Sequence, residues 1–99
     1  MPALRKKDLN ALREVFRRFP PIREARLFGS RATGSARPTS DIDVAILAPA
    51  MTGPQWSRLR EALEESDVVF IVDAVWFDRL PPGPLRSGIE QHGVPIYPA

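Results

Sequence analysis

The chain has 99 residues, 43% of them hydrophobic, no cysteine and a formal net charge of +2. That composition suits a globular domain. It excludes disulfides, thiolate nucleophiles and cysteine-zinc sites, and no run reaches the ~18 apolar residues of a membrane span. The charge is uneven. Residues 1–40 carry ten Lys or Arg against three Asp or Glu, and residues 41–99 carry four against nine. These are either two solvated surfaces or a basic rim that attracts a polyanion beside an acidic centre.

In chain order, Asp8 is expected to cap a first helix whose buried stripe is Leu9, Leu12, Val15, Phe16 and Phe19. Pro20-Pro21 stops it. IREARLF reads as a strand ending near Phe28. GSRATGSARPTS is too polar and turn-rich for either regular element. DIDVAIL is a strand ended by Ala48-Pro49. In MTGPQW, Thr52 is the expected N-cap and Gln55 its capping-box partner, with Met51 and Trp56 as a hydrophobic staple. Trp56, Leu59 and Leu63 form the buried stripe of this helix, which ends near Ser66-Asp67. VVFIVDAVWF, dense in β-branched and aromatic residues, is expected to be a central strand. PPGP breaks the chain. Leu85 and Ile89 suggest a short helix ended by His92-Gly93, and VPIY is a last edge strand. Alternating strands and helices predict an α/β fold, a small mixed β-sheet with flanking helices. Residues 1–99 read as one domain without repeats. The start of the chain lacks the apolar run of a secretory signal, so a cytoplasmic location is the expectation.

The chemistry concentrates in residues 29 to 44. A strand has a two-residue period, so Asp41 and Asp43 point to one side while Ile42, Val44 and Ile46 point to the other. Two such carboxylates repel, and a divalent cation removes that cost. Hard oxygen ligands suit Mg²⁺, which keeps waters and completes its shell from substrate phosphates. Glycines before the strand let the backbone approach a ligand, and Ser30 with nearby N–H groups could grip phosphate oxygens. The alternative is a surface turn ending in an Asx-type cap. Gly29 and Gly34 have P-loop spacing, but Ser35 stands where the lysine is required. A dinucleotide fingerprint fails because no helix is expected after the glycines, and an EF-hand fails because Leu47 to Pro49 cannot supply its ligands. Asp73 is out of place by propensity inside VVFIVDAVWF. Beside DIDV it would complete three carboxylates, enough to hold two Mg²⁺ ions about 3.5–4 Å apart. Asp67 and Asp78 are rivals, but each sits at the edge of a run.

Glycine-serine, ten residues, then DID resembles the signature of the nucleotidyltransferase superfamily related to DNA polymerase β. LFGSRATG, SDIDVAIL and LREALEESDVVFIVDAV resemble the core of the small bacterial minimal nucleotidyltransferases, the MNT or MntA-like antitoxins, and IEQHGVPIY resembles their ending. The resemblance implies that Gly29 and Ser30 grip phosphate, that Asp41 and Asp43 are paired metal ligands, and that Asp73 is the acceptor-side carboxylate, with all three aspartates catalytic. It implies Mg²⁺ as cofactor, ATP or another nucleoside triphosphate as substrate, and a helical HEPN-type toxin as partner. Some similar proteins transfer AMP from ATP to a tyrosine of that toxin. Thr33 stands where the family is often basic, and Trp76 where it often has a second Asp.

The expected function is therefore Mg²⁺-dependent transfer of AMP to a hydroxyl on a toxin. The alternative is an antitoxin that neutralises its partner by complex formation without chemistry. An acceptor must be held in line with the α-phosphorus, and a chain this short is expected to rely on a partner for that. Trp76, Phe77 and Leu80 are candidate contacts as exposed apolar residues, with packing in the core as the alternative for Trp76 and Phe77. Direct nucleic-acid binding through Arg13, Arg17, Arg18 and Arg23 is not expected, because exposed aromatic platforms are not interleaved with them. Arg31 and Arg37 either lie in solvent or help neutralise phosphates. His92 is expected at a helix end, Trp56 in the core, and Tyr97 as an edge-strand anchor.

Overall fold

A computed structural model describes residues 4–34 and 41–98. Ser35, Arg37 and the rest of 35–40 lie outside the described residues, so the readings made of them end with the sequence. The described chain runs α1 (Lys6–Arg17), β1 (Glu24–Phe28), α2 (Ser30–Thr33), β2 (Ile42–Leu47), α3 (Gly53–Glu64), β3 (Val72–Trp76), a 3₁₀ turn (Phe77–Arg79), α4 (Pro84–His92) and β4 (Val94–Tyr97). The sheet order is β3-β2-β1-β4. β1 is antiparallel to β2 and β4, and β2 is parallel to β3. The expected mixed sheet with flanking helices is what forms.

Alternation along the strands divides the core in two. On one face, Ala25 and Leu27 of β1, Ile42, Val44 and Ile46 of β2 and Ile96 of β4 pack with Leu12, Val15 and Phe16 of α1 and Leu59 and Leu63 of α3. On the other, Ala45 packs with Phe77 and with Ile89 of α4, flanked by Phe28, Leu47 and Val75. The second cluster is small and covers only part of its face. Asp43 and Asp73 belong to that thinly covered face, as the strand period requires.

Two helix starts differ in how legible they were. The Thr52 hydroxyl accepts from the Gln55 backbone N–H, and the Gln55 side chain accepts from the Thr52 N–H, a complete capping box. α1 starts earlier than expected. Its N-cap is Arg5, not Asp8. Asp8 lies in the first turn, fully buried, and accepts from the Arg5 guanidinium at 2.8 Å. An acidic side chain in the first turn of a helix is favourable even without a capping bond.

Two further expectations are corrected. VVFIVDAVWF is not a central strand: β3 is at the sheet edge and begins only at Val72. Its apolar density reflects inward packing of Val68, Phe70, Val72 and Ala74, while Val69 and Ile71 are 73% and 70% exposed. Trp76, Phe77 and Leu80 are not an exposed apolar patch. Phe77 is buried, Leu80 packs against the second cluster, and Trp76 stacks on Trp56 with centroids 5.3 Å apart. The Trp76 indole N–H donates to the Ala48 carbonyl at 3.1 Å. That bond satisfies the polar edge of a half-buried ring.

Candidate active site

β1 delivers the chain to the site. Phe28, its last residue, is the register partner of Asp43 on β2, and Asp43 is in turn the partner of Asp73 on β3. Paired residues of neighbouring strands share a face, and neighbouring strands lie about 4.8 Å apart. Asp43 and Asp73 therefore stand side by side, with Asp41 one strand period away on the same side of β2. Asp43 is half-buried, whereas Asp41 and Asp73 are exposed. Asp67 is exposed near the end of α3. Asp78 is engaged elsewhere, its carboxylate accepting from the Ala48 N–H at 2.6 Å.

The three carboxylates act on one another. The Asp43 carboxyl is held above its ordinary pKa by burial first, then by the charges of Asp73 and Asp41. Among the described residues, no three His, Asp or Glu side chains converge as ligands of a single ion. Crowded hard oxygens nevertheless fit a divalent cation that shares two carboxylates and takes its other ligands from water or phosphate.

Gly29 makes this arrangement sterically possible. It turns the chain out of β1 with φ +73°, a conformation that residues with a Cβ rarely adopt. A Cβ at this position would lie 2.5 Å from Oδ2 of Asp43. The carboxylate thus occupies the space of the missing side chain, and any side chain there would displace it. Immediately after it, Ser30 to Thr33 form the short turn α2, correcting the expectation of no regular element. The Gly29 carbonyl accepts from the Ala32 and Thr33 N–H groups. The N–H of Ser30, the first residue of that turn, has no intrahelical acceptor by geometry.

Arg31 has a role that local pattern did not disclose. It is not solvated but buried, 6% exposed. Its Nε donates to the Asp41 carbonyl at 3.3 Å, and its guanidinium lies 4.7 Å from the centroid of the Phe70 ring. Arg5 approaches the same ring at 5.5 Å. Arg31 thereby ties the turn after β1 to the start of β2 and to the approach to β3, the three segments that carry the site. The only sequence signal was its position beside the glycines.

Beside Gly29 an apolar groove opens, lined by Phe28, Ala32, Leu85, Ile89 and His92. His92 is exposed at the end of α4, whose cap is the Gly93 N–H donating to the Ile89 carbonyl. Elsewhere the basic residues are partly committed. Arg13 donates to the Ile96 carbonyl at 2.8 Å and Arg17 pairs with Glu14. Tyr97, on edge strand β4, packs its ring 5.5 Å from that of Phe16. No helix among the described residues is long and apolar enough to cross a membrane.

Residues 9–95 match the nucleotidyltransferase domain family. Among solved structures, a chain from a crystal structure of a toxin–antitoxin with AMP-PNP is similar, with a TM-score of 0.72 and 25% sequence identity. The match covers 91% of this chain and 73% of that one. No curated protein matches. With the matched span covering β1 to β3, Gly29 and all three aspartates, the chain belongs to the nucleotidyltransferase domain family.

Proposed function

We propose that this protein is the minimal nucleotidyltransferase subunit, of the MNT type, in a toxin–antitoxin pair, and that it binds a nucleoside triphosphate, ATP in the first instance. The observation that carries this reading is that the space a Cβ of Gly29 would fill is taken by the carboxylate of Asp43, next to Asp73 on the adjacent strand. A phosphate chain following the Gly29-Ser30 backbone would meet the carboxylates directly. The similar chain from a toxin–antitoxin with AMP-PNP supports the same ligand and setting. The base would lie in the apolar groove beside Gly29.

Asp41 and Asp43, with Asp73 beside them, would hold Mg²⁺. Bound there, the cation would offset triphosphate charge and lower the pKa of an attacking hydroxyl. The Ser30 hydroxyl and N–H would bind phosphate oxygens. Asp73, exposed at the sheet edge, would take the proton of an incoming hydroxyl as its oxygen bonds to the α-phosphorus and pyrophosphate leaves. The acceptor would be a hydroxyl on a helical HEPN-type toxin, so that AMP transfer is the neutralising event.

A second reading is supported more directly than transfer: neutralisation by complex formation, with nucleotide bound but not transferred. It is favoured by the similar chain from a toxin–antitoxin with AMP-PNP and by the exposure of Asp41 and Asp73 with no three side chains among the described residues converging on one ion. The Asp41→Asn/Asp43→Asn double variant separates the two in a toxin-neutralisation assay. Loss of protection together with loss of AMP labelling supports transfer. Full protection by the variant supports binding alone.

A further inference from the structure

We propose that the groove between α2 and α4 is the base pocket of the nucleotide site, and that Gly88 opens it to a flat purine held by apolar contact and not by its hydrogen-bonding edge. This rests on the reading of Gly29 and Ser30 as the phosphate-binding turn. Glycine is among the poorest helix formers, yet Gly88 stands at the middle of the nine residues of α4. Its backbone is not left-handed. A Cβ there would meet nothing within 4 Å beyond its own helix among the described residues. Neither a turn nor a close approach therefore calls for the glycine. What its missing side chain leaves is space. Gly88 lines the groove with Leu85, Ile89 and His92, four positions whose spacing puts them on one face of the helix.

The position and size of the groove select its occupant. Gly29 lines the groove as well, and the Asp43 carboxylate lies where a Cβ of Gly29 would be. The groove is therefore continuous with the turn that would hold the phosphates. Its volume is about 220 Å³, below the ~300–1,000 Å³ of sites that enclose a whole drug-sized ligand. It takes one ring system and leaves ribose and phosphates outside. Phe28 and Ala32 supply the wall opposite α4. Of the polar side chains, the Thr33 hydroxyl already donates to the Gly29 and Ser30 carbonyls, and His92 is exposed. A site built to hydrogen-bond a substrate group rejects the analogue lacking it by about 10⁴–10⁵-fold. A slot lined this way separates bases by buried area instead. Adenine and guanine share one bicyclic ring system and bind alike.

The test titrates the full chain, in Mg²⁺, with AMP-PNP, GMP-PNP and inorganic tripolyphosphate, which has the phosphates and no base. Wild type is compared with Gly88→Ala, Gly88→Leu and Ser87→Leu, the last at an exposed position of α4 outside the groove. Gly88→Leu is expected to lose about tenfold or more in AMP-PNP affinity and to keep wild-type tripolyphosphate affinity. Ser87→Leu should keep both. GMP-PNP should bind the wild type within about tenfold of AMP-PNP. Gly88→Ala should melt about 3–8 °C higher than wild type. Wild-type amides of 86–92 should gain hydrogen-exchange protection with AMP-PNP and not with tripolyphosphate, a readout that requires no variant to fold. Wild-type AMP-PNP affinity in Gly88→Leu overturns the proposal, as does equal protection of α4 by both ligands or by neither. A larger preference between the two purines overturns it, because the edge is then read. A lower melting temperature for Gly88→Ala also overturns it, because the glycine then serves packing. Self-association of the wild type that Gly88→Leu removes, with AMP-PNP affinity kept, assigns the groove to a second copy instead. A wild type that binds tripolyphosphate as tightly as AMP-PNP overturns the base pocket alone. One that binds neither overturns the nucleotide reading itself.

Discussion

Asp43 and Asp73 are register partners on parallel neighbouring strands, with a backbone glycine, not a side chain, against the Asp43 carboxylate. The arrangement concentrates negative charge and leaves room beside it. Its cost and its purpose make separate, measurable predictions.

The first concerns stability and pH. Burial and two neighbouring carboxylates raise the Asp43 pKa above its ordinary 3.8. A carboxyl with a raised folded-state pKa contributes stability that is complete below the ordinary value and is lost as pH rises through the folded-state value. The ionised wild type therefore carries the repulsion at neutral pH. Asp43→Asn should melt higher than wild type at pH 7, by about 2 °C on a scale of ~4–8 °C per kcal/mol. The difference should shrink towards pH 4, and Mg²⁺ should narrow it at pH 7. Thermal unfolding from pH 4 to 8, with and without Mg²⁺, checks all three.

A pair of glycine variants separates strain from obstruction. Gly29 and Gly34 both have positive φ, +73° and +81°, but a Cβ at Gly34 meets nothing within 4 Å. Gly34→Ala should cost about 1–2 kcal/mol for its left-handed backbone, and Gly29→Ala about 1–3 kcal/mol, because its φ +73° and ψ −153° fall in a region that glycine almost alone adopts. Only Gly29→Ala should also weaken AMP-PNP binding, by about tenfold or more, because its methyl group displaces Asp43. Urea unfolding and nucleotide titration of both variants read the two effects apart.

Arg31 gives a third prediction. Arg31→Ala should destabilise the fold by about 1–3 kcal/mol, since a buried carbonyl contact and a ring contact go together. Arg31→Lys should not restore it, because an ammonium lacks the planar face that lies over Phe70. Denaturant unfolding checks this, with Thr52→Ala as a calibrating loss of about 1 kcal/mol from the capping box.

The sequence was most legible where the deciding interactions are local. Thr52 and Gln55 are three residues apart, and the capping box formed as expected. The period of DIDVAIL put Ile42, Val44 and Ile46 inside without any knowledge of their neighbours. What was not legible depends on contacts distant in sequence. Arg31 is buried because Asp41 and Phe70 arrive beside it, and its local surroundings look like a solvated turn. VVFIVDAVWF reads as central because apolar density signals burial on both sides. Here half of that density faces outward at an edge, which composition alone does not reveal. For Phe77 the sequence left core packing and a partner surface both open, and the choice is made by a distant contact, with Ile89 of α4.

The central claim is that Gly29, Asp41 and Asp43 form a nucleotide site, and its most direct measurement is equilibrium titration of AMP-PNP in the presence and absence of Mg²⁺. It compares the wild-type chain with Asp41→Asn/Asp43→Asn, with thermal unfolding confirming that both are folded. The account predicts saturable, Mg²⁺-dependent binding to the wild type, weakened about tenfold or more in the double variant. Equal affinity in the two proteins, or no binding by the folded wild type, would contradict it.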